Sequence, residues 1–114
     1  MILYEDWQAK TADADLLQRC KKAIRAAIPD ADVIVYGSRA RGDAASDSDY
    51  DILVLVDRAV NTALKEQLIS CIYPLELESG AVLTLMAYSR DRWNSELCQA
   101  MPFRENVERE GVLL

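Results

Sequence analysis

Two aspartates one residue apart, Asp49 and Asp51, stand at the head of the apolar run Ile52-Leu53-Val54-Leu55-Val56, which reads as a buried strand. The two-residue period of a strand sends both carboxylates to one face and Tyr50 to the other. Acids so close repel each other unless a divalent cation lies between them. Mg2+ held by one or two carboxylates and completed by substrate phosphate oxygens fits that arrangement. Upstream, Gly37-Ser38 follows a second strand-like run, Val33-Ile34-Val35-Tyr36. The glycine lets backbone approach a ligand, and the serine can cap a short helix whose first N–H groups and positive dipole end suit a phosphate. Arg39 and Arg41 add positive charge beside them, or else form a solvated helix face. Alone, a Gly-Ser turn is commonplace and an Asp-rich loop merely solvates; their combination between two strands is what points to chemistry.

Gly37-Ser38, ten intervening residues, then Asp49-x-Asp51 resembles the signature of the DNA polymerase β-like nucleotidyltransferase superfamily. The shortness of the chain is similar to its minimal nucleotidyltransferase (MNT) branch. The resemblance implies an α+β fold, a small mixed β-sheet with helices packed mainly on one face. It implies transfer of a nucleoside monophosphate, AMP from ATP, to a hydroxyl acceptor. Asp49 and Asp51 would be catalytic Mg2+ ligands, and Gly37, Ser38, Arg39 and Arg41 would bind the nucleotide. MNT proteins pair with helical HEPN proteins, and in toxin–antitoxin modules the MNT antitoxin transfers AMP to a tyrosine of that partner. A HEPN-type partner is therefore implied here. The segment Pro102-Phe103 to Glu110-Gly111-Val112 is similar to the ending of many small bacterial nucleotidyltransferase-domain proteins; from the residues alone it is a helix that closes the core.

These residues need elements to position them. A helix capped by Thr11 or Asp13 and running to Ile28 carries Leu16, Leu17, Cys20, Ala23, Ile24, Ala27 and Ile28 on one face, ending at Pro29-Asp30. Asp32 to Tyr36 and the strand after the Asp pair follow. Val60, Leu64, Leu68, Cys71 and Ile72 recur at helical spacing until Tyr73-Pro74, and this second helix belongs on the same sheet face as the first. Leu75-Glu76-Leu77-Glu78 alternates as a half-buried strand, and Ala81 to Tyr88 forms the third core strand. Catalytic members of the resembled superfamily place a third carboxylate on this strand, and the aligned residue here is Thr84. Threonine cannot supply that charge, and Glu76 or Glu78 is the substitute on offer. Ser89 caps a helix with Trp93, Leu97 and Cys98 inward, and Pro102 starts the last helix, with Gly111 as its stop. The apolar tail Val112-Leu113-Leu114 packs down or docks on another subunit of a homo-oligomer.

At 114 residues and 12.8 kDa, the chain is expected to be one domain, 1–114, with the acceptor coming from a partner. A formal net charge of −6 argues against non-specific nucleic-acid binding. With no histidine, Cys20, Cys71 and Cys98 are reduced core residues rather than zinc ligands. No run reaches membrane-span length and the first residues lack a basic region, so no membrane is expected and the cytoplasm is the default compartment. Two other functions fit the same residues: a nucleotide- or partner-binding module that has lost catalysis with Thr84, and an interaction protein whose acidic loop does no chemistry.

Overall fold

The computed structural model describes residues 1–8 and 14–114. The two runs flanking the motif become β2 (Asp32–Tyr36) and β3 (Tyr50–Val56), paired antiparallel with Tyr36 opposite Asp51. Leu83–Ser89 (β4) lies parallel to β3 and sets Thr84 opposite Asp51. Both chain ends join the sheet. Val112–Leu113 (β5) pairs antiparallel with β2, and Ile2–Leu3 (β1) pairs parallel with β5. The order is β1-β5-β2-β3-β4. The apolar tail thus packs down within its own sheet.

Residues 52 to 56 of β3 are all buried, so both sheet faces are covered along this strand. Ile52, Val54 and Val56 enter a core with α1 (Ala14–Ala27) and α3 (Thr62–Ser79), where Leu17, Cys20, Ile24, Leu68 and Ile72 sit almost fully out of solvent. The two long helices share this face because each buries an apolar stripe on it, Leu17, Cys20 and Ile24 from α1 and Leu64, Leu68 and Ile72 from α3. Leu53 and Leu55 point the other way, toward Trp93 of α4 (Arg90–Trp93), Cys98 of α5 (Glu96–Gln99) and Val107 of α6 (Pro102–Glu110). Each fully buried Leu or Ile contributes roughly 1.5–3 kcal/mol. Among the described residues no helix is long and apolar enough to cross a membrane. All three cysteines are free thiols, with Cys20 and Cys98 buried and Cys71 partly so.

Several expectations change. The cap at Thr11 or Asp13 lies outside the described residues. The strand expected at Leu75–Glu78 is instead the last turn of α3, which passes through Pro74. Leu75 extends the buried series Leu64, Leu68, Ile72 at 9% exposure, while Leu77 is 68% exposed; two residues of one strand face would have been buried alike. Burying Leu75 offsets the helix bond that proline forgoes. Helix α3 stops at Gly80, whose φ of 74° suits glycine. The helix expected after Ser89 breaks at Asn94, and Ser95 caps α5 afresh, accepting from the Cys98 N–H. Trp93 and Cys98 face inward as expected, but Leu97 is 79% exposed. Gly111 does stop α6, though in extended conformation; a side chain there would strike the Val107 carbonyl.

Candidate nucleotide and metal site

Asp51 is the second residue of β3 and Asp49 lies just before it, where the strand leaves the loop 42–49. Both carboxylates reach the sheet face that carries Leu53. Thr84, opposite Asp51 on β4, donates its hydroxyl to Asp49 Oδ2 at 3.2 Å. Tyr50 turns to the opposite face and is buried in the helix-covered core. Thr84, the residue that the family resemblance aligns with a third carboxylate, thus meets Asp49 through its hydroxyl. Neither glutamate considered as a substitute joins it: Glu76 accepts from the Leu83 N–H at 3.0 Å, and Glu78 pairs with Arg19 at 2.7 Å.

The Gly37–Ser38 turn lies directly against Asp51. Gly37 has φ 75° and ψ −157°, a conformation open in practice only to glycine, and a Cβ on it would collide with the Asp51 carboxylate. Ser38 begins α2 (Ser38–Arg41), a single turn closed by Ala40 and Arg41 N–H groups bonding to the Gly37 carbonyl. Trp7, from the N-terminal arm, braces this turn by donating its indole N–H to the Ala40 carbonyl at 2.9 Å.

The two arginines part company. Arg39 donates to the Ser48 carbonyl at 2.8 Å and the Ser46 carbonyl at 3.2 Å, and its guanidinium lies 4.3 Å over the Tyr50 ring. It braces the acidic loop. Arg41 pairs with Asp43 at 3.1 Å and with Glu110, the last residue of α6, at 3.0 Å. Glu110 also accepts the Gly37 N–H at 3.1 Å. Sequence reasoning did not reach Glu110. It is 73 residues from Gly37, and nothing in a helix ending at Glu-Gly announces a partner on another element.

Burial raises the Asp51 pKa above its ordinary value, and the neighbouring charge of Asp49 raises it further; Arg41 opposes this, and Glu110 adds to it. Tyr36, across the ladder from Asp51, is pushed up to about 12, first by burial and then by the Asp51 charge. Its ring stacks edge-on to Phe103 of α6 at 5.3 Å. The phenol consequently stays protonated at neutral pH beside the acid pair.

Two mutually repelling carboxylates, one partly buried, form a donor set that gains from a divalent cation. Among the described residues, no group of three or more His, Cys, Asp or Glu side chains is placed to hold a metal. The set therefore suits Mg2+ that draws its remaining ligands from phosphate and water oxygens, rather than a cation caged by protein alone.

The site lies within a chain whose family the comparisons with known proteins show. The model of the nucleotidyltransferase domain family matches residues 17–108, and the chain belongs to that family. Among solved structures it is similar to a toxin–antitoxin with AMP-PNP, at 23% identity and TM-score 0.58 over 84% of this chain and 69% of that one. It is similar also to a complex of tri-AMPylated Shewanella oneidensis HEPN toxin with MNT antitoxin, at 20% identity and TM-score 0.55 over 89% and 70% of the two chains. A mutant of the toxin–antitoxin MntA-HpeT aligns at 22% identity and TM-score 0.56 over 92% and 72%. At these identities the likeness is one of fold. No curated protein matches the chain.

Proposed function

We propose that this protein transfers AMP from ATP to a hydroxyl on a helical, HEPN-type protein partner, as an antitoxin of the MNT kind. The observation that carries the reading is the contact between Asp51 and the Gly37–Ser38 turn, which brings a carboxylate paired with Asp49 against the backbone of the bend. Solved relatives of the same fold hold AMP-PNP in one case and an AMPylated HEPN toxin in another, which supports both the nucleotide and the acceptor.

Nucleotidyl transfer is an in-line attack by the acceptor hydroxyl on the α-phosphorus. A new P–O bond forms, the bond to the β-phosphate oxygen breaks, the hydroxyl proton passes to solvent water, and pyrophosphate leaves. Asp49 and Asp51 would hold Mg2+, which when bound neutralises phosphate charge. The Ser38 hydroxyl and the amides that follow Gly37 would orient the terminal phosphates, and Arg41 would answer the charge that develops on pyrophosphate. Gly37 serves by having no side chain, which lets the Asp51 carboxylate lie against the turn. Arg39 acts from behind, fixing the loop that delivers Asp49. The cytoplasm, where ATP and a reducing environment coincide, suits three free cysteines.

One observation favours a second reading. With Thr84 donating to Asp49 where an acid is expected, the domain could bind nucleotide or partner without catalysing transfer. ATP labelled on its α-phosphate, incubated with the chain, Mg2+ and a HEPN-type partner, separates the two. Label on the partner that vanishes with Asp49→Asn supports transfer. Calorimetric binding of ATP with no label transferred selects the binding module, and neither result in a folded chain refutes both.

A further inference from the structure

Glu110 lies beyond the stretch matched by the family model, and the chemistry above gives it no task. Yet its carboxylate holds two donors of the phosphate turn at once. One oxygen accepts the Gly37 N–H at 3.1 Å and the other accepts from Arg41 Nη1 at 3.0 Å. The Glu110 side chain is 13% exposed, whereas Asp43, the other carboxylate on Arg41, is 62% exposed. The Glu110 pair is thus the inner and less screened of the two. Its position is well fixed, because α6 is pinned by buried Val107 and by Phe103 against Tyr36 and Trp93, and Gly111 packs against the Val107 carbonyl.

We propose that Glu110 is an internal anion that latches the turn: its carboxylate occupies the Gly37 amide and the Arg41 guanidinium, so phosphate must displace it before those donors can bind nucleotide. The inference rests on the nucleotide reading above. A carboxylate and a phosphate accept from the same charged and backbone donors, so they compete for them directly. While the latch is closed, an incoming triphosphate meets a further negative charge beside Asp49 and Asp51 and finds Arg41 already neutralised. When it opens, Arg41 keeps only its exposed partner Asp43, and the C-terminal end of α6 loses its tie to the turn.

The test is calorimetric titration of the full chain with inorganic tripolyphosphate and with ATP, with and without Mg2+, for the wild type, Glu110→Gln, Glu110→Asp and Asp43→Asn. Glutamine keeps an acceptor for the Gly37 N–H but drops the charge, so the turn should hold; the indole N–H resonance of Trp7, bonded to Ala40 in α2, reports whether it does. Glu110→Gln is expected to bind tripolyphosphate about five- to tenfold more tightly at low salt, with the gain shrinking as salt rises. Glu110→Asp, too short to span both donors, should gain less, and Asp43→Asn should match the wild type. A wild type that binds ATP while Glu110→Gln and Glu110→Asp bind it equally or more weakly overturns the latch and leaves the nucleotide reading intact. Absence of binding in every chain overturns both.

Discussion

Replacing Asp51 by asparagine should stabilise the fold while abolishing the proposed transfer. Alternate strand residues lie about 6.6 Å apart, where two like charges repel by ~2.5 kcal/mol at an effective dielectric near 20 and by ~0.6 kcal/mol in water. Asp49 is exposed and Asp51 partly buried, which places the pair near the lower end, at about 0.5–1 kcal/mol. For a chain of this size that corresponds to a Tm increase of roughly 2–5 °C. The pH dependence fixes the sign. Asp51 has its folded pKa raised above the ordinary 3.8, so the folded wild type binds this proton more tightly than the unfolded chain. Its unfavourable contribution is fully present well above the folded pKa and disappears as pH falls through that value toward 3.8. The advantage of Asp51→Asn in differential scanning calorimetry should therefore be full at pH 7 and shrink in acid. Metal-dependent transfer should fall by at least about a hundredfold in the same variant. A lower Tm at pH 7, or a gain that persists unchanged into acid, would refute the reasoning.

Gly37→Ala should lower the Tm by several degrees, since its backbone conformation costs an alanine about 1–3 kcal/mol and the new Cβ meets the Asp51 carboxylate; ATP binding should be lost with it, as titration calorimetry would show. Thr84→Asp adds a third charge beside Asp49 and Asp51, so it should tighten Mg2+ binding by about tenfold while lowering the metal-free Tm, both measurable by thermal shift across a Mg2+ titration. Pro74→Ala should raise the Tm by an amount corresponding to about 1 kcal/mol, because α3 already runs through this position and alanine adds the missing N–H; a lowered Tm would mean that the helix depends on the proline's shape.

The strands around the motif, the two long helices on one face and the pairing of Asp49 with Asp51 were legible because each depends on local period and residue type. Thr84 was singled out only through the family resemblance, and it is the strand register that places it opposite Asp51. What stayed hidden depends on contacts between distant elements. Leu75-Glu76-Leu77-Glu78 alternates like a strand, but only packing shows Leu75 completing a helical stripe across a proline. The short strands β1 and β5 have no pattern of their own; each exists because a neighbour offers an open edge. The arginines read as phosphate ligands or as solvated charge, yet Arg39 braces a loop and Arg41 meets a glutamate from the far end of the chain.

Manganese, which broadens amide resonances near its binding site, locates the proposed site most directly. Titrated with a non-hydrolysable ATP analogue into the isotope-labelled chain, it should broaden residues 36–38, 49–51 and 83–85 first and leave the strand ends near Arg90 sharp. Broadening centred elsewhere, or unchanged in the doubly substituted Asp49→Asn, Asp51→Asn chain, would contradict a metal and triphosphate site between the acid pair and the glycine turn.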